Sequence, residues 1–173
     1  MDGNLVFGNL CTLLAMGANA VSSTRKTAKS VLLFQCLSQF VYFICAVVLR
    51  GYSAAVQNIV SILRNIAAIK NVKSKTVEWI LTGAGVALGI LFNNRGLMGL
   101  LPVLGNLQYT LAIFRFKDNE RLLKASFLIS GVCYAIFNVV LYNFVGAVSD
   151  IIVIIITAAV LIRERKTDSK EKA

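Results

Sequence analysis

Histidine is absent from this 173-residue chain, proline occurs once, and only 15% of the residues are charged. Each shortage excludes something. Without histidine, the commonest general base and metal ligand is missing. The four cysteines, Cys11, Cys36, Cys45 and Cys133, offer no replacement. None has a CxxC partner, and all fall inside apolar runs, where a thiol behaves as a small hydrophobe. There is no GxSxG elbow and no phosphate-binding loop, since "GAG" at 83–85 lies within an apolar run. No cofactor, metal site or enzymatic activity is expected. The scarcity of charge also excludes an ordinary soluble domain, in which about a quarter of the residues are charged.

What is present is apolar: 57% of the residues are hydrophobic and the mean hydropathy is +0.74. A bilayer-crossing helix needs about 20 such residues at 1.5 Å rise per residue. The runs are approximately 4–22, 30–49, 52–69, 77–94, 97–114, 125–142 and 145–162. The first, "MDGNLVFGNLCTLL", lacks the basic segment of a cleavable signal and reads as a span. The last two share one apolar stretch interrupted only by Asp150, with "YNFVG" at 142–146 as the expected turn.

The net charge of +10 is not gathered into one patch but falls in short bursts between the runs, so nucleic-acid binding is not expected. With the N-terminus outside, 15 of the 18 basic residues lie on inner segments, around Lys26, Lys73, Arg121 and Lys166. Arg50 and Arg95 stay outside and Arg64 sits within a span. This is the positive-inside pattern, with C-terminus inside. Anionic lipids are the expected partners of these basic loops.

The chain also repeats. Shifted by 92 residues, "SQFVYFICAVVLRGYSAAVQNIV" lies over "SGVCYAIFNVVLYNFVGAVSDII" without a gap. Ser38 meets Ser130, Tyr42 meets Tyr134, Val47-Val48-Leu49 meets Val139-Val140-Leu141, and Asn58 meets Asp150. "GNL" at 8–10 matches "GNL" at 105–107, pairing Asn9 with Asn106. The expectation is an all-α membrane protein of seven helices: a three-helix bundle (1–70), a linker helix (71–96), a second bundle (97–162) and a disordered cytoplasmic tail (163–173). One extra crossing between the repeats gives them the same orientation, an arrangement used by transporters. Gly85 and Gly89 in the linker have the spacing that permits close helix contact.

Polar residues inside hydrocarbon must face protein or a cavity. In the third run Gln57, Asn58, Ser61, Arg64 and Asn65 share one helical face, and Gln35, Ser38, Gln39 and Tyr42 do so in the second. Ser126, Ser130, Tyr134 and Asn138 step by four in the sixth, and Asn9, Thr12 and Asn19 line the first. Such faces hold bundles together by hydrogen bonds of roughly 0.6–2 kcal/mol each, or they line a solute cavity. The candidate solute-binding residues are Asn58, Asp150, Tyr42, Tyr134, Asn9, Asn106 and Arg64. Arg64 can snorkel to the inner surface or anchor a partner in the cavity. Asp150, roughly 8 Å past the turn, is too short to snorkel and must be neutral, paired or wetted. Pro102 either kinks the fifth helix or sits in its first turn.

This 3+1+3 pattern, with matched polar residues on the third span of each repeat, resembles the superfamily of SWEET sugar facilitators, PQ-loop proteins and PnuC vitamin transporters. At this length the chain looks most like the bacterial inner-membrane YgjV family, on "VQNIVSILRNI" and "LPVLGNLQYTLAIFR" and over nearly the whole sequence. In SWEETs an Asn pair on the third and seventh spans lines the sugar site, and the resemblance puts those positions on Asn58 and Asp150. The Pro-Gln dipeptide is missing. The single tryptophan, Trp79, lies in the linker, which leaves Tyr42 and Tyr134 as the aromatic candidates. The resemblance implies the fold and a transport role in a bacterial inner membrane, without a substrate; the polar faces themselves suggest a small polar solute. The other reading is a non-transporting scaffold or regulatory protein with a closed polar network.

Overall fold

The computed structural model describes residues 3–23, 28–72, 74–116 and 119–171. Of the inner-loop cations, Arg25, Lys26, Lys73, Lys117 and Lys172 lie outside the described residues. The helices are α1 (Gly3–Ser23), α2 (Ala28–Val48), α3 (Tyr52–Ile69), α4 (Lys75–Leu91), α5 (Leu101–Arg115), α6 (Glu120–Val140) and α7 (Phe144–Glu171), with a 3-10 segment at Gly96–Leu100 before α5. Among the described residues there is no strand.

The apolar runs become helices because their interiors lack proline and are rich in Leu, Ala and Ile, which lie along a continuous hydrogen-bonded backbone that needs no water. Pro102 falls in the first turn of α5, where its missing N–H costs nothing. Two of the helices stop at left-handed residues that correspond in the repeat. Arg50 (φ 56°) ends α2 and Tyr142 (φ 58°) ends α6. Gly51 N–H then donates to Ala46 C=O at 2.7 Å, and Asn143 N–H to Asn138 C=O at 2.9 Å. The next helix starts identically too, with Ala55 N–H on Gly51 C=O and Ala147 N–H on Asn143 C=O, both at 3.0 Å. Every one of these pairs is 92 residues apart, so the sequence repeat recurs as a repeat of backbone geometry. These wrapped bonds satisfy the last carbonyls of the helix and offset the cost of a non-glycine residue in that conformation.

In space α1 lies on α2, α2 on α3, α3 on α5, α5 on α6, α6 on α7, and α7 returns to α1. The six helices form a closed circuit, with two seams, α3–α5 and α7–α1, where the chain-order neighbours give out. Helix α4 packs on α3 and α5 alone among the helices. Its glycines allow this: Gln57 Nε2 donates to Gly85 C=O at 2.7 Å. A Cβ on Gly89 would meet the same amide nitrogen and lie 2.7 Å from Val103 Cγ2. Near the two repeated turns the circuit is filled by Cys11, Cys45, Leu49, Ala54, Phe137 and Leu141.

Burial is inverted relative to a soluble protein. Gln57, Arg64 and Asn65 are at most 2% exposed, whereas Leu14, Leu91 and Leu97 are at least 70% exposed. On α3 the polar stripe points in and Ile59, Leu63 and Ile66 point out, the disposition that suits a lipid solvent. Three stretches are long and apolar enough to cross a membrane: Gly96–Arg115, Arg121–Val140 and Phe144–Arg163, with Leu32–Val48 a shorter apolar helix. Helix α3 spans about 27 Å, and its inward polar residues lower its hydropathy. The tail corrects an expectation: residues 163–171, read from composition as disordered, continue α7 to Glu171. Lys, Arg and Glu are good helix formers, so an established helix propagates through them.

Candidate functional site

Two polar networks occupy the two seams. At α3–α5 the organising group is the Arg64 guanidinium. Its Nη1 donates to Asn106 Oδ1 at 2.9 Å and Thr110 Oγ1 at 3.2 Å. Nε and Nη2 both approach Asn65 Oδ1 at 3.4 Å. The cation also sits over the Tyr109 ring, 4.9 Å from its centroid, a position favoured by the ring's negative face. Asn106 binds outward from there: Nδ2 donates to Gln57 Oε1 at 2.7 Å, and Oδ1 accepts from Ser61 Oγ at 3.0 Å. Through Asn65 the network reaches Gln35 on α2, and through Gln57 it reaches α4. Arg64 does not snorkel. Among the described residues no carboxylate lies within 4 Å of it.

At α7–α1 the organising group is Asn143. It is the N-cap of α7, accepting from Gly146 N–H at 3.1 Å, which satisfies one of the orphan donors of the first turn. Its amide donates to Thr12 Oγ1 on α1 and Asn138 Oδ1 on α6, each at 3.0 Å. Asn138 in turn donates to Asp150 Oδ2 at 2.8 Å. Asn9 reaches across from α1 to accept from Val145 N–H at 3.0 Å.

Between the seams lies a cavity of about 130 Å³. Six of the seven candidate residues line it: Asn58, Asp150, Tyr42, Tyr134, Asn106 and Arg64. Asn9 is the correction. It sits nearly two helical turns from the start of α1, and its amide accepts from Val145 N–H and donates to Leu5 C=O. It ties α1 to the start of α7 instead of facing the cavity. The repeat-related pairs Asn58/Asp150 and Tyr42/Tyr134 both face the cavity, as their shared offset suggests. Asn58 is only 4% exposed, and its side chain makes no hydrogen bond among the described residues.

Three contributors went unread in the sequence. Tyr109 and Thr110 follow Asn106 by three and four residues, so the face that presents Asn106 presents them too; that spacing was there to be seen. Asn143 falls in the expected turn, and its position before an apolar run is an N-cap signal. What it bonds to on α1 carries no sequence signal.

The chain matches the model of a family described as Imp-YgjV, bacterial inner membrane protein, over residues 6–168. No curated protein matches it, and no solved structure matches it. The match covers nearly the whole sequence, and the chain belongs to this family of bacterial inner membrane proteins.

Proposed function

We propose that this inner membrane protein binds and moves a small polar solute. The solute sits in the cavity between two similar three-helix units, α1–α3 and α5–α7, and α4 is the linker that gives them the same orientation. Seven crossings with the N-terminus outside fit the positive-inside distribution of charge. The units rock at the seams α3–α5 and α7–α1 to open the cavity alternately, the behaviour expected of parallel repeats. The observation that carries this reading is Asn58. A buried amide normally bonds to protein or to ordered water, and this one has no protein partner and lines the polar cavity, where a solute can reach it.

The second reading, a scaffold with a closed polar network, draws on the seams, where Arg64, Asn106, Gln57 and Asn143 are bonded within the protein. Asn58 separates the two. Because it holds no other side chain, Asn58→Ala is expected to leave intrinsic stability within about 0.5 kcal/mol of wild type. Solute-dependent stabilisation should fall. A panel of sugars, nucleosides, vitamins and amino acids, tested on purified protein in detergent, should contain a solute that stabilises the wild type by about 2.7 kcal/mol at 100 times its dissociation constant. The same solute should exchange across vesicles holding the wild type. A panel without any stabilising member, together with an Asn58→Ala variant that unfolds, would favour the scaffold.

A further inference from the structure

The cavity is lined by one buried cation and one carboxylate, Arg64 and Asp150, and they do not form an ion pair. That is unusual in an apolar medium. Opposite charges in a low-dielectric interior attract strongly, so a cation left alone is costly and a carboxyl left alone is driven to its neutral form until a cation meets it. Here each is held by neutral groups on its own side. Asn106, Thr110 and the Tyr109 ring keep Arg64 at the α3–α5 seam. Asn138, braced by the N-cap Asn143, keeps hold of Asp150 on α7. The separation is therefore built into both seams. Asn58, with its free amide, lines the same space.

We infer that the solute is a small zwitterion, with a carboxylate or similar anionic group at Arg64 and an ammonium group at Asp150. The inference rests on the solute-binding reading above and names its substrate class. A zwitterion completes both charges and brings no net charge into the protein. An uncharged polyol would leave Arg64 uncompensated and give Asp150 no cation to ionise against, and an ion of either sign would meet only one of the two groups. Asn58 supplies a donor and an acceptor to the part of the solute between its charges. A volume of about 130 Å³, on the order of ten times the minimum for one water, restricts the class to solutes of small amino-acid size.

The test is equilibrium binding to the purified full-length chain in detergent. The probes are alanine and serine, alanine amide (no carboxylate), N-acetylalanine (no ammonium), and glycerol and glucose (neither charge). Wild type should prefer alanine or serine to each single-charge analogue by roughly 10–100-fold, the worth of one hydrogen-bonded charge. The variants should erase one preference each. Arg64→Gln should bind alanine and alanine amide equally, and Asp150→Asn should bind alanine and N-acetylalanine equally. If Arg64→Gln fails to fold, the wild-type ranking and the Asp150→Asn arm still decide. Glycerol, glucose or a single-charge analogue binding wild type as well as alanine would overturn the zwitterion while leaving a solute site standing. Discrimination that survives both variants would overturn it as well, because the charges read would lie elsewhere. Binding of none of these probes, with no member of the wider solute panel binding either, would remove both the inference and the solute-binding reading.

Discussion

The seams α3–α5 and α7–α1 occupy corresponding places in the repeat, yet they are built from different chemistry. At α3–α5 a guanidinium is the hub, and everything around it is a neutral acceptor or a ring face. At α7–α1 the hub is an amide that caps a helix, and the charge is a carboxylate one step removed, held by Asn138. The repeat aligns Asn58 with Asp150 but sets Ile156 against Arg64. The backbone turns at Arg50 and Tyr142 stay alike to the hydrogen bond. A repeated backbone can thus keep its turns and its cavity while the two halves exchange polarity. Both turns hold a non-glycine residue in the left-handed conformation through the same backbone bonds, whereas the seam side chains are free to differ as long as each buried group is satisfied.

The comparison can be broken at the one ionisable group of each seam. Arg64→Leu removes donors from Asn106, Thr110 and Asn65 at once. It should cost about 2–3 kcal/mol, since each buried polar group left short carries its own penalty. Asp150→Leu leaves only the Asn138 amide short and should cost about 1 kcal/mol. Unfolding of the purified protein in detergent measures both, and equal losses would mean the seams are not built unequally.

The next effect tests whether α4 belongs to the α3–α5 seam. Gly89→Ala pushes a methyl group against the Gln57 amide and Val103 and should cost about 2 kcal/mol by overpacking. At Gly83 a Cβ meets nothing within 4 Å, so Gly83→Ala should be neutral or slightly stabilising through helix propensity. The same unfolding assay reads both, and a neutral Gly89→Ala would detach α4 from the seam.

At the other seam Asn143→Ala removes the cap of α7 and the link to Thr12. The expected loss is about 1 kcal/mol, visible as a lower midpoint and as faster amide exchange in the first turn of α7. The smallest change is Asn9→Ala, at about 0.6 kcal/mol. Because Asn9 faces α7 and not the cavity, solute binding by this variant should match wild type. A loss of binding would return Asn9 to the site.

Much of this was legible in the residues. Apart from the end of α7, the seven apolar runs match the seven helices to within about five residues, since helix ends are marked by turn residues and charge. Polar side chains spaced by three and four predicted the inward face of α3, and the offset of 92 predicted that Tyr42 and Tyr134 would face the same place. Asn9 was misplaced because its match to Asn106 rests on three residues at another offset, and the same short motif packs against different neighbours in the two halves. The charged tail was misread because composition speaks to the lack of a core, not to a helix extended from a stable apolar segment.

The sequence by itself determined the solvent, the helices and which face of each is polar, because hydropathy and the 3.6-residue period act over a few residues of chain. Only the tertiary structure decided which polar faces meet. Arg64 and Asp150 share a cavity without touching, and Asn58 is left without a partner, because those relations depend on how the circuit of helices closes at α3–α5 and α7–α1. No local rule sets the distance between side chains on helices that are remote in the chain.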